Sequence, residues 1–254
     1  MEAPVPPSPL RRGSVPARTL RAATYNRAVH PTDGSGRFRD LTLDDFTERL
    51  ASPEPVPGGG SASAVAAALG ASLLAMVGSL TSGKPKYVDH EPMLAWAIES
   101  GRRLSDRFLT LADDDAEAYA GFSAALKMPR ETDDEIAART AAMQAAARRA
   151  SEVPLACVES CLDLVGVAEA LAGRSNPNAA SDVDVAALLG EAAARGAAAN
   201  VLINLPSTGD PEFESSMMAR VAELLSDVEA LASQTHQAVA TGGPRDPLEL
   251  AEPA

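Results

Sequence analysis

Gly58, Gly59, Gly60 and Ser61 open about twenty residues without a charge, and that run closes on Lys84, Lys86 and Tyr87. The stretch has three chemical readings: a phosphate loop, a membrane span, or the wall of a ligand pocket. A phosphate loop needs a lysine and then Ser or Thr directly after the glycines, with a strand before them. Here "GGGSAS" has no such lysine, and Pro53, Pro55 and Pro57 precede it. At a helix entry, glycines let a ligand come close to the main chain. The unsatisfied amides of the first turn then suit an anion or a heteroaromatic acceptor. Lys84 and Lys86 lie in a proline-stiffened loop, where they are either solvated surface or cations facing that ligand.

A second chemical signal is a carboxylate out of place. Leu94, Ala97, Gly101, Leu104, Phe108, Leu111, Asp115, Ala118 and Phe122 recur at three- and four-residue steps, the signature of one helix face. Asp115 is the misfit. A carboxylate on an apolar stripe must be paired, hydrogen-bonded or protonated, because a lone buried anion is too costly. It is either a proton carrier or one more member of the "DDDAEAY" cluster on a slightly rotated helix, with Asp113 and Asp114 facing solvent. Asn200 and Asn204 stack four apart, and their amides could read the edge of a heterocycle or join helices. Cys157 and Cys161 also share a face, but without nearby His or Cys partners they are too few for a structural zinc. Buried reduced thiols of a cytoplasmic protein are expected, with no metal.

These groups need a frame. Aromatics are 4% of the 254 residues and alanine is abundant, so small side chains at close backbone separation favour packed helices. The apolar periodicity predicts helices over 43–50, from Ser61 to about Leu80, over 92–127, and from Thr132 or Asp133 to Gly173 with a kink or restart at Pro154. Two more are predicted, one capped by Ser181 and stopped by Pro206, the other starting near Pro211. The expected fold is all-α, an up-and-down bundle of about six helices spanning residues 41–240. Residues 1–40, rich in Pro and Arg, are expected to be a disordered leader, and 241–254 a disordered acidic tail.

Ser61 to Leu80 is long enough to span a bilayer. Its Ala, Ser and Gly content and the lack of aromatic or basic flanks favour a central buried helix instead, with Ala66, Gly70 and Gly78 on one ridge. The net charge of -13, concentrated outside the basic leader, argues against nucleic acid as the main partner. An anionic small molecule remains compatible, since a few cations focused in a cleft suffice.

Five blocks, "PVPGGGSASAVAAALGASLLAMV", "LTSGKPKY", "DDDAEAYAGFSAALKMPRETDDEIAARTAAMQAAARRASEVPL", "SNPNAASDVDVAALL" and "GAAANVLINL", resemble in order and spacing the cyclodeaminase/cyclohydrolase family. That family comprises the cyclodeaminase half of formiminotransferase-cyclodeaminase and stand-alone bacterial methenyltetrahydrofolate cyclohydrolases. The resemblance implies a helical homodimer or higher homo-oligomer that binds a tetrahydrofolate derivative as substrate and needs no other cofactor. It also implies chemistry on the carbon bridging two folate nitrogens.

By the same resemblance, Asp115 is the proton shuttle or a pterin ligand, with Asp113 as a substitute, and Lys84 steadies developing charge or the folate's glutamate. Gly58, Gly59, Gly60 and Ser61 supply main-chain donors. Lys86, Tyr87, Arg139, Asp182, Asn200 and Asn204 complete the substrate set. Val56 and Ser175 depart from residues common in the family, but neither change removes an ionisable group. A separate formiminotransferase is a possible partner, and neither nucleic acid nor membrane is expected. The competing expectation is a non-catalytic folate-binding or scaffold dimer. In the folate reading, an alanine-lined cavity joins the triple-glycine turn to the lysine loop.

Overall fold

A computed structural model describes residues 36–248. Its helices are α1 (Leu43–Leu50), α2 (Gly59–Thr81), α3 (Glu91–Leu126), α4 (Asp133–Leu171), α5 (Ala180–Asn204) and α6 (Pro211–Thr241). Short 3-10 turns at Phe38–Asp40, Pro85–His90, Pro177–Ala179 and Leu205–Ser207 join them, and there is no strand among the described residues. The all-α expectation of about six helices holds. The leader expected over 1–40 lies almost wholly outside the described residues, except that Phe38 packs edge-on against Phe46, with ring centroids 5.7 Å apart.

Several boundaries follow from local chemistry. Thr132 accepts from the Glu135 amide, while the Glu135 carboxylate receives the Thr132 amide, a reciprocal cap that starts α4. Asp210 caps α6 through the Phe213 amide, and Gly242 ends it in the left-handed region at φ 64°. Replacing Thr132 by Ala is expected to cost about 1 kcal/mol, read as a lower urea midpoint.

Ser61 and Ser181 are not caps, contrary to the sequence reading. Helix α2 starts two residues earlier, behind Gly58, and Ser61 is fully buried in its first turn. Helix α5 starts at Ala180 behind a turn in which Asn176 accepts from the Asn178 amide. Pro154 neither kinks α4 into two elements nor restarts it, since one helix runs through.

Small residues set the packing distances. A Cβ on Gly101 of α3 would lie 2.7 Å from the Ala71 carbonyl oxygen of α2, so the two backbones touch there. Gly70 and Gly78 do not form one ridge as expected: Gly70 faces the Ala186 carbonyl of α5 and Gly78 faces Ile98 of α3. Eight residues at about 100° each leave them about 80° apart around the helix. Phe108, Leu74, Leu94, Leu104 and Leu164 fill the buried centre.

Helix α2 is not buried all round. Leu69, Met76 and Leu80 are 55%, 39% and 47% exposed and, with half-buried Leu73, form one stripe at steps of four, three and four. On α5, Val185, Leu188 and Leu202 are exposed as well. Both helices are long and apolar enough to cross a membrane by length and composition, but each is also packed against the bundle, with about half of its apolar window buried.

Of the tail expected to be disordered over 241–254, residues 249–254 lie outside the described residues, and the described part beyond Gly242 is tied down at Arg245. Arg245 donates its backbone amide to the Gly173 carbonyl at 2.9 Å and its guanidinium to the carbonyls of Glu169 and Ala172 at the end of α4, and it pairs with the Glu169 carboxylate. Cationic donors at a helix C-terminus satisfy carbonyls that have no helical partner.

Candidate active site

The glycine turn and Asp115 meet because α2 enters the bundle level with the middle of α3. A Cβ on Gly60 would lie 2.2 Å from Asp115 Oδ1, so the absent side chain is the space the carboxylate occupies. Ser61 Oγ donates to Asp115 Oδ2 at 2.9 Å and lies 3.1 Å from the Ala112 carbonyl. Burial raises the Asp115 pKa above the usual carboxylate range, while the Ser61 hydroxyl and amide pull it back in part. Asp115 is therefore a half-buried carboxylate whose proton is more strongly held than usual.

A cavity of about 320 Å³ opens in front of it. Pro55, Val56 and the three glycines form one wall, Ala118, Tyr119 and Phe122 an apolar second wall, and Ala150, Asn200 and Asn204 a third. The first-turn amides of α2 lack helical acceptors and sit at its rim. A flat heterocycle between the aromatic wall and the amides suits this shape.

The asparagines turn out to do two jobs. Asn200 Nδ2 folds back onto the Gly196 carbonyl at 2.8 Å and lies beside Gly59. Asn204 Nδ2 donates to the Ala150 carbonyl at 2.7 Å. Ala150 is four residues before Pro154, which has no N–H to offer that oxygen. Asn204 thus satisfies the carbonyl that the proline leaves open, joining α5 to α4, and still lines the cavity. Asn204→Ala should cost about 1–3 kcal/mol by unmaking that bond, measured as a lower urea midpoint. Restoring a helical donor with Pro154→Ala in the same chain should recover part of the loss.

The predicted set does not converge in one chain. Gly58, Gly59, Gly60, Ser61, Asp115, Asn200 and Asn204 gather at one end of α2, whereas Lys84, Lys86, Tyr87 and Asp182 sit at the other. At 1.5 Å per residue the 23 residues of α2 separate the two ends by about 35 Å. Among the described residues, the glycine turn and the lysine loop therefore line separate cavities, one at each end, rather than the single cavity expected to join them.

Asp113 is turned away from the cavity and accepts the Phe38 amide at 2.7 Å. Arg139 donates through Nε and Nη2 to the Leu126 carbonyl, closing the end of α3, and is not in the cavity wall. Tyr119, four residues after Asp115, and Phe122, seen only as a stripe position, line the cavity as well. Pro55 and Ala150 carried no signal as wall residues, whereas Val56, marked as a departure from the family's usual residue, does line the cavity.

At the far end, the turn that presents Lys84 is held by Glu91. Its carboxylate takes the Ser82 hydroxyl and the Gly83 amide, and these two bonds lower its pKa. Lys84 and Lys86 are exposed, Lys86 Nζ stands 5.4 Å over the ring of buried Tyr87, and Asp182 is half-buried in the first turn of α5.

Residues 42–223 match the family described as formiminotransferase-cyclodeaminase. The chain belongs to the formiminotransferase-cyclodeaminase family. A methenyltetrahydrofolate cyclohydrolase from Methylorubrum extorquens is 38% identical over 198 residues, which are 78% of this chain and 95% of that protein. The formimidoyltransferase-cyclodeaminase of Rattus norvegicus is 34% identical over 194 residues, 76% of this chain but only 36% of the rat protein. The crystal structure of formiminotetrahydrofolate cyclodeaminase from Thermotoga maritima superposes with a TM-score of 0.73 at 29% identity, covering 80% of this chain and 98% of that one. The family match takes in both ends of α2 and stops within α6, so the segment carrying Arg245 falls outside it.

Proposed function

We propose that this chain is a folate one-carbon enzyme acting on the carbon that bridges two nitrogens of tetrahydrofolate. Hydrolysis of methenyltetrahydrofolate is its first expected reaction and cyclodeamination of formiminotetrahydrofolate its second. The observation that carries the reading is Asp115, a carboxylate of raised proton affinity held by Ser61 beneath the glycine turn of a family member. The order of reactions follows the relative of which this chain spans 95%. A non-catalytic scaffold is not favoured, because the relatives described above bear enzyme names and this chain turns a carboxylate into the cavity.

Both reactions pass through a tetrahedral carbon. In hydrolysis, water forms a C–O bond and gives one proton to Asp115, which delivers it to the ring nitrogen as the C–N bond breaks, and the remaining hydroxyl proton leaves to solvent as the formyl C=O forms. In cyclodeamination, the amine nitrogen outside the pterin ring adds to the carbon of the protonated formimino group, its proton passes through Asp115 to the formimino nitrogen, and the C–N bond to that nitrogen breaks, releasing ammonia and leaving the methenyl cation. A carboxylate whose proton affinity is raised by burial suits a shuttle that must both take and give. The transfer needs no cofactor of its own, and a cytoplasmic location is in keeping with the substrate class.

The lysine loop takes part through a second copy. A two-fold axis across the exposed stripe of Leu69, Leu73, Met76 and Leu80 would run two α2 helices antiparallel and set Lys84 of one chain near Asp115 of the other. A formiminotransferase acting separately is a fitting supplier for the second reaction.

The test is direct: the purified chain is incubated with each folate, and methenyl absorbance and ammonia release are followed. No turnover of either substrate rejects the function. Mixing inactive Asp115→Asn and Lys84→Ala chains after mild dissociation should restore about a quarter of parental turnover, since half of the dimers carry one intact site. No recovery rejects the shared site while leaving the reaction standing.

A further inference from the structure

The second cavity, also about 320 Å³, lies between the lysine turn, the turn before α5 and the segment after α6. Lys86, His90 and Arg174 line it and no carboxylate does, although the chain carries a net charge of -13. Lys86 and Arg174 are cations and, among the described residues, no acidic side chain lines the pocket to offset them, so inside an acidic protein it focuses positive potential. His90 Nδ1 is buried there without a hydrogen-bond partner, and a native structure rarely leaves such an atom unserved. Asn176 spends Oδ1 on the Asn178 amide, so its Nδ2 is left as a donor. Arg174 is 8% exposed and gives Nε to the Asp246 carbonyl and Nη1 to that of Ala170, which fixes its charge at the cavity floor.

The outer wall is Gly242, Gly243 and Pro244, a strap pinned by Arg245 to the end of α4.

We propose that this cavity binds an oxyanion, carboxylate or phosphate, through Lys86, His90 and Asn176, with the C-terminal strap as its wall. The inference holds whether or not the chain turns over folates, because it is read with small anions alone. Calorimetric titration of the full-length chain with inorganic phosphate, and separately with L-glutamate, tests it. At least one is expected to bind saturably, with affinity weakened about tenfold or more by Lys86→Met and by His90→Phe, equivalent to about 1.4 kcal/mol each. Lys86 is exposed, so Lys86→Met keeps the fold and the result is readable even if His90→Phe does not. Binding of phosphate alone identifies a free phosphate or phosphate ester as the ligand class, and binding of glutamate alone identifies a carboxylate. A chain ended after Thr241 should bind the same anion several-fold more weakly. No binding of either anion, or binding unchanged in Lys86→Met, overturns the site, and undiminished affinity in the shortened chain overturns the part given to the strap.

Discussion

Turnover of methenyltetrahydrofolate by Asp115→Asn is expected to fall at least about a hundredfold, the usual worth of a positioned acid or base. Stability should move the other way. Burial raises the folded-state pKa of Asp115 above its unfolded value, so the folded chain holds the proton more tightly. Its stability then falls as pH rises from the ordinary carboxylate range through the raised pKa. At neutral pH the charged Asp115 is a burden that the amide does not carry. The variant should melt at the same temperature as the parent or higher there, and that gain should vanish in acid, where Asp115 is protonated both folded and unfolded. Inactivity accompanied by a lower melting temperature would mean that Asp115 is structural, and unchanged turnover would reject its role outright.

Gly60→Ala should be as damaging, for a steric reason. The new methyl would stand 2.2 Å from Asp115 Oδ1 and 2.6 Å from its Cγ, so either the carboxylate leaves its bond with Ser61 or the entry of α2 shifts. An overpacked site of this kind costs about 1–3 kcal/mol, and a displaced proton carrier should lower turnover about a hundredfold or more. Gly166→Ala in α4 is the control, since nothing lies within 4 Å of its Cβ position; it should stabilise by up to about 1 kcal/mol. Adding Asp115→Ala to Gly60→Ala should restore stability without activity, because the two changes share one contact and are not additive. A Gly60→Ala chain of parental stability and turnover would show that the turn and the carboxylate are not in contact.

The Glu91 turn gives a smaller effect at the opposite end. Glu91→Ala frees the Ser82 hydroxyl and Gly83 amide, loosening the presentation of Lys84. KM should rise severalfold while kcat changes less, and Glu91→Gln, which keeps an acceptor, should recover part of the loss.

Much of this was readable in the residues alone. The apolar steps from Leu94 to Leu111 located the buried face of α3 and exposed Asp115 as its exception, because burial of a helix face is written in its period. The starts at Thr132 and near Pro211 were legible because helix-start signals are local. Ser61 misled because the same hydroxyl that could cap a helix found a better partner 54 residues away. Nor could the sequence foresee that Asn204 would complete the carbonyl orphaned by Pro154, a bond between residues 54 apart.

What the sequence determined by itself was the helical class, the family and the identity of the groups fit for chemistry, since composition, periodicity and short motifs are properties of neighbouring residues. Which of those groups share a cavity was decided only by tertiary structure. A rigid helix keeps its two ends about 35 Å apart however its residues are patterned, and only the packing of α3, α4 and α5 around it assigns each polar group to one end or the other.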